Sequence, residues 1–205
     1  MKRPMDIVCS DLEGVLVPEI WINVAEKTGI PELRLTTRDI ADYDQLMRRR
    51  LSILAQYGLK LKDITDVIET LEPLAGAGEF LQWLRRHTQV IIVSDTFVEF
   101  AQPLMAKLGW PTLLCNSLQI DAAGAIADYR LRQADGKRKV VEALHSLNFR
   151  VIAMGDSYND ISMLQSADHG IFFRPPASIQ AAFPQIPVTT DYPSLMAKLS
   201  PLLGL

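Results

Sequence analysis

The chain is poor in cysteine and has neither a long basic run nor a long apolar run, and each shortage closes off a class of protein. Two cysteines in 205 residues, Cys9 and Cys115, sit in apolar settings without metal-ligand spacing; they build no disulfide framework, and free buried thiols are expected. The formal net charge is −3, and Arg48-Arg49-Arg50 is the one dense basic cluster. That argues against nucleic acid as the main partner, because gripping a phosphate backbone takes clustered Lys and Arg. No stretch approaches the roughly 20 apolar residues that cross a bilayer, so no membrane partner is expected. The N-terminal Met1-Lys2-Arg3-Pro4-Met5-Asp6 runs into an acid and then a strand, with no secretory apolar region or small-residue cleavage site, and a cytoplasmic location is expected. Internal repeats and low-complexity segments are also missing.

What the chain does have is strand-helix alternation. Its length suits one α/β domain with a modest insertion. Apolar runs at 7–9, 90–93, 151–154 and 170–173 read as buried strands, with amphipathic helices expected at 97–108, 136–147 and 161–167. A short strand at 112–115 is expected, followed by a separate hairpin of 117–120 with 127–131. The proline-rich tail reads as a short helix, an edge strand near Val188 and a last helix at 193–203. This pattern favours an α/β fold with a doubly wound parallel sheet, helices on both faces. From Asp11 to Ser94 the chain advances 83 residues, far more than one crossover needs. The excess reads as helical, at 19–29, from Thr37-Arg38-Asp39 to Gly58, and at 61–71. It divides the chain into a core of 1–17 and 74–205 and a small helical cap of 18–73, inserted after the first strand.

Four segments carry chemistry. The first strand ends in Asp11-Leu12-Glu13-Gly14, where two carboxylates two residues apart can converge past the last ladder pair, either to hold a cation or to divide attack and proton transfer between them. Ser94-Asp95-Thr96 stands at the tip of a second strand, Lys137 opens a helix, and Gly155-Asp156-Ser157-Tyr158-Asn159-Asp160 closes a third strand. Taken singly these read as a solvated loop, a helix cap, a surface lysine and a turn. In an open parallel sheet the carboxyl ends of neighbouring strands share one crevice, which makes the four segments neighbours in space. His87, His145 and His169 lack paired spacing and are expected at the surface or at helix ends. Trp21, Tyr43 and Tyr57 are expected to pack within the cap, with Trp21, close in sequence to Glu19, also able to line the pocket.

Asp11-x-Glu13-Gly14, Ser94, Lys137 and Gly155-Asp156-x-x-Asn159-Asp160, in that order, resemble the signature of the haloacid dehalogenase superfamily of phosphohydrolases. Within it the segments 11–21, 94–97 and 155–160 look like the phosphoserine phosphatase family, in particular its bifunctional phosphoserine phosphatase/phosphoserine:homoserine phosphotransferase branch. The resemblance implies a phosphoryl-transfer enzyme with Asp11 as nucleophile, passing through an aspartyl-phosphate, and with Glu13 as general acid and base. It implies Mg²⁺ held by Asp11, Asp156 and the backbone carbonyl of Glu13, Lys137 and Ser94 on the phosphoryl oxygens, and Asp160 either behind Lys137 or itself a ligand. Glu19 falls where the substrate ammonium would bind, and Arg50, with Arg49 as the alternative, where its carboxylate would. Asn159 is placed to hydrogen-bond the substrate. Two departures from the resemblance stand out: Glu13-Gly14-Val15 stands where the superfamily more often has Asp followed by Gly-Thr or Ser-Thr, and Asp95 replaces the glycine of single-function phosphoserine phosphatases, which points to homoserine as an acceptor beside water. A homodimer is a family-level expectation. Another small phosphate ester as substrate, or a receiver-type phosphoacceptor module, are the competing readings. Receivers, however, place an acidic pair before the nucleophile and carry no long insert.

Overall fold

The computed structural model describes residues 4–37, 39, 40 and 42–205. Seven strands form one sheet: β1 (Met5–Ser10), β2 (Gln89–Phe97), β3 (Leu113–Ile120), β4 (Ile126–Arg130), β5 (Phe149–Gly155), β6 (His169–Phe173) and β7 (Val188–Thr189). Their order is β4-β3-β2-β1-β5-β6-β7, parallel throughout except for β4 against β3. Strand β1 is central because its side chains are apolar on both faces. Val8 belongs to one apolar cluster while Ile7 and Cys9 belong to the other, and β5 repeats the alternation with Ile152 and Met154 against Val151 and Ala153. From β1 the chain winds outward through β2 and β3 on one side, and beyond β5 it winds outward on the other. The carboxyl ends of β1 and β5 therefore flank the switch point where such sheets hold ligands.

Helices α1 (Ile20–Thr28), α2 (Tyr43–Tyr57) and α3 (Leu61–Glu69) come between β1 and the core helix α4 (Ala77–His87); α5 (Val98–Lys107), α6 (Gly136–Ser146), α7 (Ile161–Ser166), α8 (Ala177–Ala182) and α9 (Tyr192–Leu203) follow. α1 starts after Glu19 and stops at left-handed Gly29, as the sequence pattern predicts. α2 starts at Tyr43, with the Asp42 carboxylate accepting from the Gln45 N–H, rather than at Thr37-Arg38-Asp39; of those three, Arg38 lies outside the described residues. A 3-10 turn at Pro31–Arg34 is too short to leave a periodic trace in the sequence. β3 is one unbroken strand where two were expected: it pairs with β2 up to Asn116 and with β4 from Ser117 onward. A single strand can serve a parallel neighbour with one half and an antiparallel one with the other, so the polar Asn-Ser pair marks a change of partner and not a break.

His87 and His145 are exposed near the ends of α4 and α6, and His169 is half-buried at the start of β6. Both cysteines are free thiols; Cys9 is buried, and burial pushes its thiol up to about 12, whereas Cys115 is only partly covered. Tyr57 is 51% exposed at the end of α2, so of the three aromatics expected to pack, this one does not. α2 is tied to the sheet edge by a polar seam: Arg48 pairs with Asp128 at 2.7 Å and lies over the Tyr129 ring, whose hydroxyl donates to Asp44.

The C-terminal helix reaches back to the loop after β1. Tyr192 stacks between Phe80 and Phe173, with centroids 5.0 and 4.9 Å away, and donates its hydroxyl to the Val15 carbonyl at 2.7 Å. Both partners are buried, so Tyr192→Phe leaves an orphaned acceptor and should cost about 1–2 kcal/mol of stability in urea denaturation; a variant as stable as the parent would mean that water reaches Val15.

Candidate active site

The site begins where the β1–β5 ladder ends. Asp11, one residue past β1, still donates its N–H to the Met154 carbonyl at 2.9 Å, which fixes its backbone against β5. Its carboxylate accepts from the Leu12 N–H at 2.7 Å and lies 2.9 Å from the Lys137 ammonium. The chain then doubles back, with Leu16 and Val17 donating to the Leu12 carbonyl. Gly14 turns at φ +74°, and a Cβ there would sit 2.4 Å from the Asp156 carboxyl, so only glycine lets the loops after β1 and β5 come this close.

Lys137, in the first turn of α6, is 3% exposed. Its ammonium reaches Asp160 at 2.6 Å and Asp11 at 2.9 Å. The other Asp160 oxygen accepts from the N–H groups of Asp156 and Ser157, at 2.9 and 3.0 Å, so both of its oxygens are engaged and the loop after β5 is folded around it. Burial by itself would strip the proton from Lys137, but Asp11 and Asp160 outweigh it and hold the group well above the ordinary lysine range. Burial and the neighbouring Asp160 push the Asp11 carboxyl upward, against the pull of Lys137.

Asp11, Asp156 and Asp160 each offer an oxygen, all within 4.8 Å of one another, and two of them, Asp11 and Asp160, pair with the Lys137 ammonium. Such an excess of buried negative charge, with the glycine-permitted approach of Asp156, is the donor chemistry of a hard divalent cation. Asp11 and Asp156 fit as ligands; Asp160, its oxygens already engaged, fits better as the buttress of Lys137.

Glu13 points along the other wall. One of its oxygens accepts from the N–H of Ile20, the first residue of α1, at 2.8 Å. Burial, with Glu19 adding to it, raises its carboxyl to about 7, despite the Ile20 bond and the nearby cations. Asp11, Glu13, Glu19, Arg50 and Ser94 line one cavity of ≈ 80 Å³. Arg50 is 7% exposed, whereas Arg49 is turned to solvent. The Ser94 hydroxyl accepts from the Thr96 N–H at 3.2 Å. Asp95 bridges several elements: its carbonyl accepts from the Tyr43 hydroxyl at 3.0 Å and from Asn116 at 3.1 Å, and its carboxylate accepts from the Asn159 amide at 2.8 Å and lies 3.9 Å from Lys137. Asn159 also accepts from the Ser157 hydroxyl, so both ends of its amide are occupied within the protein. A wider cavity of ≈ 690 Å³ adjoins the first and shares Thr37, Tyr43, Asp95 and Asn159 with it.

The site residues expected from the sequence, except Arg49, thus lie at this crevice or directly behind it. Tyr43 was read as a packing residue yet helps to wall both cavities, and Thr36, Thr37 and Ser157 were not singled out at all. The signal for Tyr43 was its helical spacing to Met47 and Arg50, one face of α2. The threonines stand in irregular chain, where spacing carries no such signal.

The profile of the haloacid dehalogenase-like hydrolases matches residues 5–168, and the chain belongs to that family and is an enzyme of its class. Within the class it belongs with the phosphoserine phosphatases. It is 59% identical to the phosphoserine phosphatase ThrH of Pseudomonas aeruginosa over 93% of each chain, and 58% identical to a phosphoserine phosphatase of Pseudomonas syringae over 93% of this chain and 81% of that one. Among solved structures, a phosphoserine phosphatase in apo form has a similar fold, with a TM-score of 0.76 at 22% identity over 96% of this chain and 98% of that one.

The tightness of the crevice is testable at Gly155, where an added Cβ would lie 2.4 Å from Asp160 Cγ, itself fully buried. Gly155→Ala should lower unfolding free energy by about 1–3 kcal/mol in a denaturant titration. Parent-like stability would mean that Asp160 can move without loosening the loop.

Proposed function

We propose that the protein is a Mg²⁺-dependent phosphoserine phosphatase that works through phosphorylated Asp11 and also passes the phosphoryl group to homoserine. The observation that carries this reading is the convergence of Asp11, Asp156, Asp160 and Lys137 at the ends of β1 and β5, with the buried cation Arg50 lining the same cavity as Asp11. The two Pseudomonas relatives, both named as phosphoserine phosphatases, support the choice of substrate.

In this scheme residues 18–73 act as a cap over a core of 1–17 and 74–205, and supply the groups that select the substrate. Glu19 takes the substrate ammonium and Arg50 its carboxylate, which suits the Arg50 Nε, buried without a hydrogen-bond partner among the described residues. Asp11, Asp156 and the Glu13 backbone carbonyl would hold Mg²⁺, which neutralises charge on the phosphoryl oxygens when bound. Lys137 and Ser94 bind those oxygens, with Asp160 keeping Lys137 charged and in place. An Asp11 oxygen bonds to phosphorus as the serine oxygen departs, and Glu13 gives that oxygen a proton. A carboxyl near 7 is partly protonated at neutral pH, so the same Glu13, once deprotonated, takes the proton of the incoming hydroxyl as it attacks phosphorus and frees Asp11. That hydroxyl belongs to water in hydrolysis and to homoserine in transfer; Asp95, beside Lys137 and Asn159, borders the acceptor's path.

Incubation with O-phospho-L-serine and Mg²⁺, with and without L-homoserine, should release inorganic phosphate in the first case and add phosphohomoserine in the second. Equal turnover of sugar and nucleotide phosphates would replace the substrate assignment. Asp11→Asn should abolish both products while the protein stays folded; undiminished turnover would remove Asp11 as nucleophile. For Arg50→Ala the expected result is a rise in KM for phosphoserine of about 10-fold or more, with a much smaller rise for O-phosphoethanolamine, which lacks the carboxylate. Matching rises would take Arg50 out of substrate recognition.

A further inference from the structure

Trp21 is the second residue of α1, and its packing role does not by itself require an indole. Its ring meets Phe100 edge to face, centroids 5.6 Å apart, a contact another aromatic ring can also make. The distinctive contact is with Arg50, whose guanidinium carbon lies 4.5 Å from the centroid of the Trp21 ring. Both residues are buried, at 7% exposure each, and both line the cavity that holds Asp11.

The groups in direct contact with the guanidinium are of the same character, while the Glu13 and Glu19 carboxylates act on it only through space. One terminal nitrogen donates to the Leu35 carbonyl at 2.8 Å, the other approaches the Met47 sulfur at 3.6 Å, and Nε is buried without a hydrogen-bond partner among the described residues. A carbonyl, a thioether and an aromatic face hold a cation in position without cancelling its charge. A carboxylate locked onto the same guanidinium would do the opposite and compete with any anionic ligand. Indole offers the strongest π face among the side chains, and its pull on a cation grows where water is shut out. Burial lowers Arg50 to about 10, which leaves it protonated at neutral pH.

We propose that Trp21 is a positioning residue: its ring fixes the plane of the Arg50 guanidinium for the substrate carboxylate, and so sets selectivity for phosphate esters of α-amino acids over esters lacking that carboxylate. This rests on the reading of the site as one for phosphoserine.

The test compares steady-state kinetics on O-phosphoserine and O-phosphoethanolamine for the parent, Trp21→Met and Trp21→Phe. Trp21→Met, apolar but without a π face, should raise KM for phosphoserine about 5- to 30-fold, far more than for phosphoethanolamine and more in KM than in kcat; Trp21→Phe should recover much of the loss. Equal KM rises on both esters, or no recovery with phenylalanine, would overturn the proposal by showing that Trp21 serves packing alone. If Trp21→Met does not fold, protein grown with mono- and difluorotryptophan weakens the ring face at nearly constant shape. KM for phosphoserine should then climb with each fluorine, and a flat series would overturn the proposal. A parent enzyme that does not prefer phosphoserine to phosphoethanolamine refutes the substrate reading and this inference together. A parent that prefers phosphoserine while the variants lose both esters equally refutes this inference alone.

Discussion

One buried ammonium organises the crevice. Lys137 is shared by Asp11 at the end of β1 and Asp160 in the loop after β5, and Asp160 in turn collects the N–H groups of Asp156 and Ser157. Three secondary-structure elements are thereby pinned to one another through a single charge, and the loop that carries Asp156 has its shape dictated by a carboxylate. Burying such charges is costly unless each is paired and hydrogen-bonded, and here each partner of Lys137 has at least one further donor of its own: Leu12 N–H for Asp11, two backbone amides for Asp160. Removing Lys137 would leave two buried carboxylates without the cation they share.

The glycines on either side of this cluster are its steric counterpart. Gly14 and Gly155 each face a carboxyl group at a distance no side chain allows, one toward Asp156 and the other toward Asp160. Charge density in the crevice is therefore set by backbone approach as much as by residue choice. Gly14, in the loop after β1, makes room for Asp156 of the loop after β5, and Gly155 makes room for Asp160 of its own loop.

Much of this was legible in the sequence because the physics is local. Apolar runs bounded by Asp and Gly located β1, β2 and β5, and the topology of a parallel sheet brought their ends together. The candidate site residues were singled out by their resemblance to a family signature, and the structure brings them to one crevice. The failures share a different cause. The start of α2, the continuity of β3 through Asn116-Ser117 and the 3-10 turn at Pro31–Arg34 depend on caps and partners that periodicity does not encode. The choice between Arg49 and Arg50 was open for the same reason: adjacent residues on a helix differ by about 100° in direction, and only the packing of α2 decides which one faces inward. Trp21 was expected to pack, with lining the pocket as the alternative, and it does both; its contact with Arg50 could be found only once α1 and α2 were seen side by side.

The seam that fastens α2 to the sheet edge is of another kind from the cluster it overlooks. Arg48, Asp44 and Asp128 are all well exposed, with side-chain exposures of 54, 64 and 36%, so mobile ions in the solvent weaken their attraction. The Lys137 pairs, shut away from solvent, escape that screening. Ionic strength thus acts on the two halves of the crevice unequally, loosening the grip on the helix that bears Arg50 and Tyr43 while leaving the charged floor beneath it untouched.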